Sequence, residues 1–271
     1  MKVKKKIQLY LVLVLFAVLG MESLFCSRSI AAINETDLYL KVESYTWKEF
    51  DNGEELLEET GPIFGLGFSN RSNIGRWFVL SEKIELFTGT VDYDGETQSG
   101  TPATTESGYF GYLLEMNFGG KIVSREKFSL EPFVGLGFRW WKRSLHDANT
   151  AYGYVYGYEE EWSSIYTRLG LHTESQVSER FKLFAQAGIK YPIHNRNEAK
   201  LSRFGIEDVT LEPKSELSYF ADAGFKTGHF MLSFYYEGMR FDESDLDDTY
   251  GAILQPESEG DIFGVKIGFA F

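Results

Sequence analysis

The sequence is short of the residues on which most protein chemistry depends. It has a single cysteine, Cys26, near the start of its 271 residues. Neither a disulfide nor a thiolate metal site is therefore expected in the rest of the chain. Its four histidines, His146, His172, His194 and His229, are scattered, with no H-E-x-x-H pair, so no zinc site and no cofactor is expected. No P-loop or G-x-S-x-G stretch occurs. Bases are also scarce, with 27 Lys and Arg against 40 Asp and Glu. Phosphate backbones need basic patches, so a nucleic-acid partner is excluded. Beyond Gly20 no apolar run approaches the roughly 20 residues that a membrane-spanning helix needs.

The first thirty residues read as an export signal. Lys2, Lys4, Lys5 and Lys6 precede an apolar run from Ile7 to Gly20, and Ser29-Ile30-Ala31 has the small-x-small form of a cleavage site. Residues 1–31 are expected to be removed, leaving residues 32–271 as one domain. Ser23-Leu24-Phe25-Cys26 puts a bulky Phe where a lipidation signal wants a small residue. The exported part keeps 22 bases and 39 acids, a net charge of about −17.

What the chain has in quantity is aromatic residues, at 16%, and glycine, at 27 residues, against only six prolines. Side chains alternate sides along a strand, and ten stretches alternate accordingly. Leu38, Leu40 and Val42 oppose Tyr39, Lys41 and Glu43. Phe110, Tyr112, Leu114, Met116 and Phe118 oppose Tyr109, Gly111, Leu113, Glu115 and Asn117. The stretch Pro62-Ile-Phe-Gly-Leu-Gly-Phe68 returns as Pro132-Phe-Val-Gly-Leu-Gly-Phe138, and in both the proline is expected to open a strand. The third strand, Trp77 to Tyr93, is the least regular, because Glu82 interrupts its apolar face. The tenth, Asp261 to Phe271, sets Phe263, Val265, Ile267, Phe269 and Phe271 against Gly264, Lys266, Gly268 and Ala270.

The connections alternate in length as well. Those after strands two, four, six and eight are short, and those after three, five, seven and nine are long and polar. Short turns at one end and long loops at the other mark a transmembrane antiparallel up-and-down β-barrel, all-β, with both termini periplasmic and an even strand count. Ten strands are expected, with eight as the alternative. Trp77 near one rim, and Trp47, Trp140 and Trp162 near the other, are expected to form aromatic girdles. The final strand, ending on an aromatic residue, resembles the closing strand of bacterial outer-membrane β-barrels. Val91-Asp-Tyr-Asp-Gly95, Trp140-Trp-Lys-Arg143 and Leu254-Gln-Pro-Glu-Ser258 look like stretches of small proteobacterial barrels. The resemblance implies a Gram-negative outer membrane as the address and Phe271 as the insertion signal. It also implies lipid and lipopolysaccharide as surroundings, with the export and barrel-assembly machinery as partners during biogenesis. A monomer is expected.

The inward positions carry Glu43, Glu115, Glu131, Asp222 and Glu237 against Lys41, Arg139, Arg168, Lys190, Lys226 and Lys266. About eight strands leave a lumen that side chains fill, and sixteen leave a channel. The charges therefore read first as a cross-linked structural network, with a selectivity path for a small solute as the alternative. The function expected is that of a structural or weakly pore-forming outer-membrane protein, not an enzyme, whose acidic loops contact surface ligands.

Two constellations carry rival readings. Asp92-Tyr93-Asp94-Gly95 puts two carboxylates on one side of an extended chain, as an acid/base pair requires, although Asp-Gly is also a turn signal. A ten-strand barrel with Asp-x-Asp at this place resembles the omptin proteases, in which an Asp pair faces an Asp-His pair across the barrel mouth. That resemblance implies Asp92 and Asp94 as the first pair. The second departs from the pattern, since only His194 or His146 is at hand. Tyr152, Tyr154, Tyr156 and Tyr158 fall on one face if the sixth strand extends beyond the membrane. They could stack on sugars or lipid headgroups, or pack a protruding hairpin. The acidic run Asp242 to Asp248 lacks the spacing of a calcium loop and reads as solvated.

Overall fold

In the computed structural model the described residues are 34–96, 100–151, 153–247 and 253–271. The expected export signal and Tyr152 lie outside them, as does Asp248 at the end of the acidic run. Ten strands form the wall: β1 (Asn34–Asp51), β2 (Glu54–Ile74), β3 (Phe78–Glu96), β4 (Pro102–Gly120), β5 (Phe128–Leu145), β6 (Glu159–Ser178), β7 (Phe181–Lys200), β8 (Ser218–Thr227), β9 (Phe230–Asp242) and β10 (Glu257–Ala270). Each pairs antiparallel with the next. β10 returns to β1 in a register running from Asp37↔Ala270 to Phe50↔Glu257, so the sheet closes with no free edge. Ten strands is the number the alternation predicts. Both described ends lie at the end with the tight turns, the turn end; the other is the loop end.

The outward residues make an apolar belt, with Leu40, Phe64, Leu86, Phe110, Val134, Leu169, Phe234 and Phe263 among its exposed members. A water-facing domain rarely exposes so much contiguous apolar surface. The inward residues of the same strands are small or charged. The repeated Gly-Leu-Gly motif acquires its reason here. A Cβ on Gly67 would lie 2.2 Å from Cε2 of Tyr39, and one on Gly137 would lie 2.3 Å from Cε2 of Tyr166. Bare backbone at these points leaves room for long inward side chains from neighbouring strands.

The wall is longer than the alternation suggests. β1 to β7 run 18 to 21 residues each, about twice the 9–11 that cross a bilayer. The surplus rises past the belt toward the loop end, where outward positions turn polar and form pairs such as Lys48–Glu55 at 2.7 Å and Arg240–Asp261 at 2.9 Å. Contrast between the two faces vanishes there while the hydrogen-bonded ladder continues. For this reason the long loop expected after the third strand shrinks to residues 97–101, and β2 begins at Glu54 rather than at Pro62. Pro62 sits within β2, at a point where the ladder to β3 lapses between Thr60↔Asp92 and Ile63↔Gly89, as a residue without an N–H requires.

The girdle expectation is corrected in part. Trp77 and Trp140 point outward, and Trp140 stacks on Tyr112 at 5.5 Å. Trp47 and Trp162 point inward and are fully buried. Parity puts both on the lumen face, together with Tyr45 and Ser164.

Candidate functional site

The middle of the lumen is crossed by charge pairs. Lys41 Nζ donates to Glu43 at 2.7 Å and to Glu85 at 2.8 Å, while the Tyr39 and Tyr235 hydroxyls donate to Glu85 and Glu43. Glu115 gathers Lys83 at 2.8 Å, Arg168, and the Tyr166 hydroxyl at 2.7 Å. Lys190 meets Glu237 at 2.7 Å, with Arg139 at 3.7 Å from the same carboxylate, and Lys266 meets Asp222 at 2.8 Å. The Arg168 guanidinium lies 3.9 Å from the Phe220 ring centre. Nine of the eleven charged groups expected inward are brought together here as a network, and the other two, Glu131 and Lys226, pair with partners at the turn end. Lys83 and Glu85 were missed, because Glu82 obscures the phase of β3; counting from Leu86 would have placed both inward.

Toward the loop end four rings from four strands meet inside the wall. Trp141 stacks on Trp162 at 5.3 Å and 11°, Trp47 meets Trp162 edge-on at 5.3 Å, and Phe241 lies 5.6 Å from Trp162. The indole N–H groups of Trp47 and Trp162 donate to Glu49 and Glu160, both at 2.9 Å. These two carboxylates and that of Glu59 converge on Arg143, at 2.9, 3.1 and 3.0 Å. Ser107 and Tyr109 donate to Glu59 as well. All four charged groups are buried, so three carboxylates share one guanidinium beside the rings, toward the loop end. This cluster escaped the sequence reading because it lies above the belt, where outward residues are polar and the phase of the strands cannot be followed.

At the turn end a cavity of about 130 Å³ opens among Asp37, Arg71, Glu131, Glu174, Asp222 and Lys226. Arg71 forms a fork with Glu131, at 2.6 and 3.1 Å. Lys226 bonds Asp37 at 2.7 Å and Glu35 at 2.5 Å, and Lys182 reaches the same Glu35 at 2.5 Å. β1 is thereby clasped across the lumen to β7 and β8.

The residues expected at a catalytic mouth are not assembled there. Asp92 and Asp94 are exposed on the outside of β3, sent outward by the parity that sends Leu86 outward, and Tyr93 between them faces in. They border an outer hollow with Glu58, Thr60, Thr104 and Glu106. His146 lies close by on the same outer surface, Nδ1 3.9 Å from Glu106. His194 is exposed on the outside of β7, four strands beyond β3 in the wall. The cause is a bulge: Pro192 pairs with Tyr166 and His194 with Ile165, leaving Ile193 as an extra residue. Phase inverts at that point, so Lys190 faces in, His194 out, and Asn195 and Asn197 in. Asp92, Asp94 and His194 therefore do not face one another across the mouth.

The tyrosine stripe is also rearranged. Residues 148–150 and 153–155 form their own ribbon, which carries Tyr154 and Tyr156 exposed and edge-on at 5.0 Å, while Tyr158 is half-buried. Arg203, from the loop after β7, lies 5.0 Å from the Tyr156 ring centre and donates to Asp147 at 3.3 Å. Asp147 also accepts from the Tyr154 hydroxyl and from Gly157 N. The Tyr154 hydrogen bond, helped by those from Gly157 and Arg203, holds the Asp147 carboxyl below its ordinary value. Phe271 is exposed beyond β10, and its N–H donates to the Thr36 carbonyl at 2.8 Å.

No family model matches the chain, and no curated protein matches it in sequence. Solved structures do. The chain is similar to the outer membrane protease OmpT from Escherichia coli, with a TM-score of 0.59 at 9% identity over 90% of this chain and 99% of that one. It is also similar to the translocator domain of the autotransporter NalP from Neisseria meningitidis, with a TM-score of 0.47 at 12% identity over 95% and 96%. A third is the attachment invasion locus protein Ail of Yersinia pestis, at 0.35 and 11% over 88% and 99%. At such identities the likeness concerns the fold, which is that of bacterial outer-membrane β-barrels.

Proposed function

We propose that this outer-membrane-type barrel resides in the outer membrane with its termini on the periplasmic side, as a monomeric closed scaffold that presents its loops at the surface. The observation that carries this reading is the stack of Trp47, Trp141, Trp162 and Phe241 across the lumen. Above the charge network four large rings meet inside the wall, and buried hydrogen bonds to Glu49 and Glu160 hold two of them, Trp47 and Trp162. A pore would need a continuous wet path of the kind wider barrels provide. Purified protein in a planar bilayer is expected to give no discrete conductance steps, whereas a Trp47→Ala/Trp162→Ala variant is expected to conduct. Steps from the unaltered chain would refute the closed reading.

A scaffold that is not a hydrolase is supported by Asp92 and Asp94, which point away from the mouth, and by His194, which sits on another wall. With Glu58 and Glu106, the two aspartates form an acidic outer face above the belt. This is the chemistry that contacts lipopolysaccharide through bridging divalent cations. A binding role for the loops is supported by Tyr154 and Tyr156, two exposed rings with Arg203 stacked alongside, which suit a sugar face. Replacing both tyrosines by Ala is expected to abolish glycan or lipid-headgroup binding while the barrel stays folded; unchanged binding would remove the loops from consideration.

A further inference from the structure

The charges on the outside of the barrel are sorted along its axis. The loop end is acidic, whereas among the described residues the turns at the other end carry Arg76, Lys121, Arg125, Lys127 and Arg180 against Glu126 and Glu179, with Glu82 further into the belt. In a chain with a formal net charge of −13, a basic rim is a local exception. Each of these cations has apolar company. Arg76 lies 5.2 Å from the ring centre of Trp77, with Ile74 exposed beside it. Ile122 and Phe128 flank Lys121, Arg125 and Lys127, and Val177 precedes Arg180. Among the described residues, Arg76, Arg125, Lys127 and Arg180 form no ion pair.

The rim is also fixed in shape. Backbone N–H groups tie each turn to the next: Lys121 donates to Trp77, Gln176 to Lys127, Gly228 to Arg180, and Ala270 to His229, at 2.8 to 3.1 Å. The cations are therefore presented as a preformed arc, on the turns after β2, β4 and β6, at the edge of the apolar belt. Long basic side chains at such an edge lay their stems along apolar surface and hold their heads in the polar layer. A soluble polyanion would match the charge but leave Ile74, Trp77, Ile122, Phe128 and Val177 in water. An amphiphile with a phosphate head and acyl tails matches both.

We propose that the turn-end rim is a binding surface for anionic glycerophospholipid, with Arg76, Arg125, Lys127 and Arg180 on the phosphates and Trp77, Ile122 and Phe128 against the upper acyl chains. The proposal rests on the outer-membrane reading. It goes further in giving the rim a lipid preference, which pins the depth at which the wall sits.

The test uses the full chain carrying Trp140→Phe, which leaves Trp77 as its outward-facing indole, refolded into vesicles of equal phosphatidylglycerol and phosphatidylcholine. Bromine is placed on the acyl chains of one lipid or of the other, and quenching reports which lipid lies beside Trp77. Brominated phosphatidylglycerol is expected to be enriched there by about fivefold, the factor that one cation near an anionic surface supplies. The preference is expected to vanish in the variant with Gln at 76, 125, 127 and 180. Equal quenching by the two lipids overturns the proposal, as does a preference that survives in the Gln variant. Vesicle flotation and resistance to cold detergent are read first. A chain that fails to float refutes the membrane reading itself, whereas a floated chain with equal quenching refutes only the lipid preference.

Discussion

Lys142 and Arg143 are neighbours in sequence on opposite sides of the wall, and replacing each by Met gives a sharp test of the closed loop end. Lys142 pairs with Glu159 at 2.8 Å, with both side chains a third or more exposed. Losing such a pair costs about 0.2–1 kcal/mol. Arg143 is buried and, among the described residues, is the one cation paired with Glu49, Glu59 and Glu160, all within 3.1 Å. Its removal strands three carboxylates beside the tryptophan rings. Breaking one buried pair in this way costs about 3–5 kcal/mol, and with three anions left behind the Arg143→Met loss is expected at or above the top of that range. Adding Glu59→Gln removes one stranded charge and is expected to return about 1–3 kcal/mol, the usual coupling between groups in contact. Urea unfolding in phospholipid vesicles, followed by tryptophan fluorescence, measures all three variants against the parent. If Arg143→Met falls within about 1 kcal/mol of Lys142→Met, the guanidinium does not hold the cluster together and the account of the plug is wrong.

Other outcomes follow from single contacts. Lys266→Glu sets a second anion beside Asp222, now 2.8 Å from the Lys266 ammonium, and is expected to weaken folding by about 3–5 kcal/mol, whereas Lys121→Glu in a turn is expected to change it little. Equal urea midpoints would contradict the inward placement of Lys266. Gly67→Ala drives a methyl into the Tyr39 ring, with 2.2 Å available, and is expected to cost about 1–3 kcal/mol, partly recovered by Tyr39→Leu in the same denaturation assay. Asp147 is held below its ordinary value by Tyr154, Gly157 and Arg203. The order it gives its loop is therefore complete above the ordinary aspartate value and lost as pH falls through the lowered one. Limited proteolysis of residues 146–158 is expected to accelerate on acidification below about pH 4, and a rate independent of pH would show that Asp147 does not organise the loop.

Within the belt the sequence is easy to read, because lipid-type and lumen-type side chains contrast at every step. That contrast places Lys41, Glu115, Arg168 and Lys266 inward and yields all ten strands. Above the belt it fails, since both faces become polar or aromatic. Trp47 and Trp162 then pass for interface residues although parity puts them inside, and Glu49, Glu59 and Glu160 pass for loop. Asp92 and Asp94 have an unambiguous parity with Leu86; what alternation alone does not say is that the wall carries them outward beyond the belt. His194 could not be placed at all. Its side depends on the single extra residue Ile193, and no local pattern announces a bulge.

The clasp at the turn end bears on the order in which the molecule can be made. Glu35 and Asp37 emerge from the ribosome early, yet their partners Lys182 and Lys226 lie 147 to 191 residues further on. The ladder partner of β1 at the seam is the last strand of all. Contacts of such long sequence separation are slow to find, and until β10 arrives both β1 and β9 present unpaired edges that would recruit other chains. The first strand therefore waits unpaired until β10 has been made, and the open sheet is the state in which this chain is most exposed to association with others.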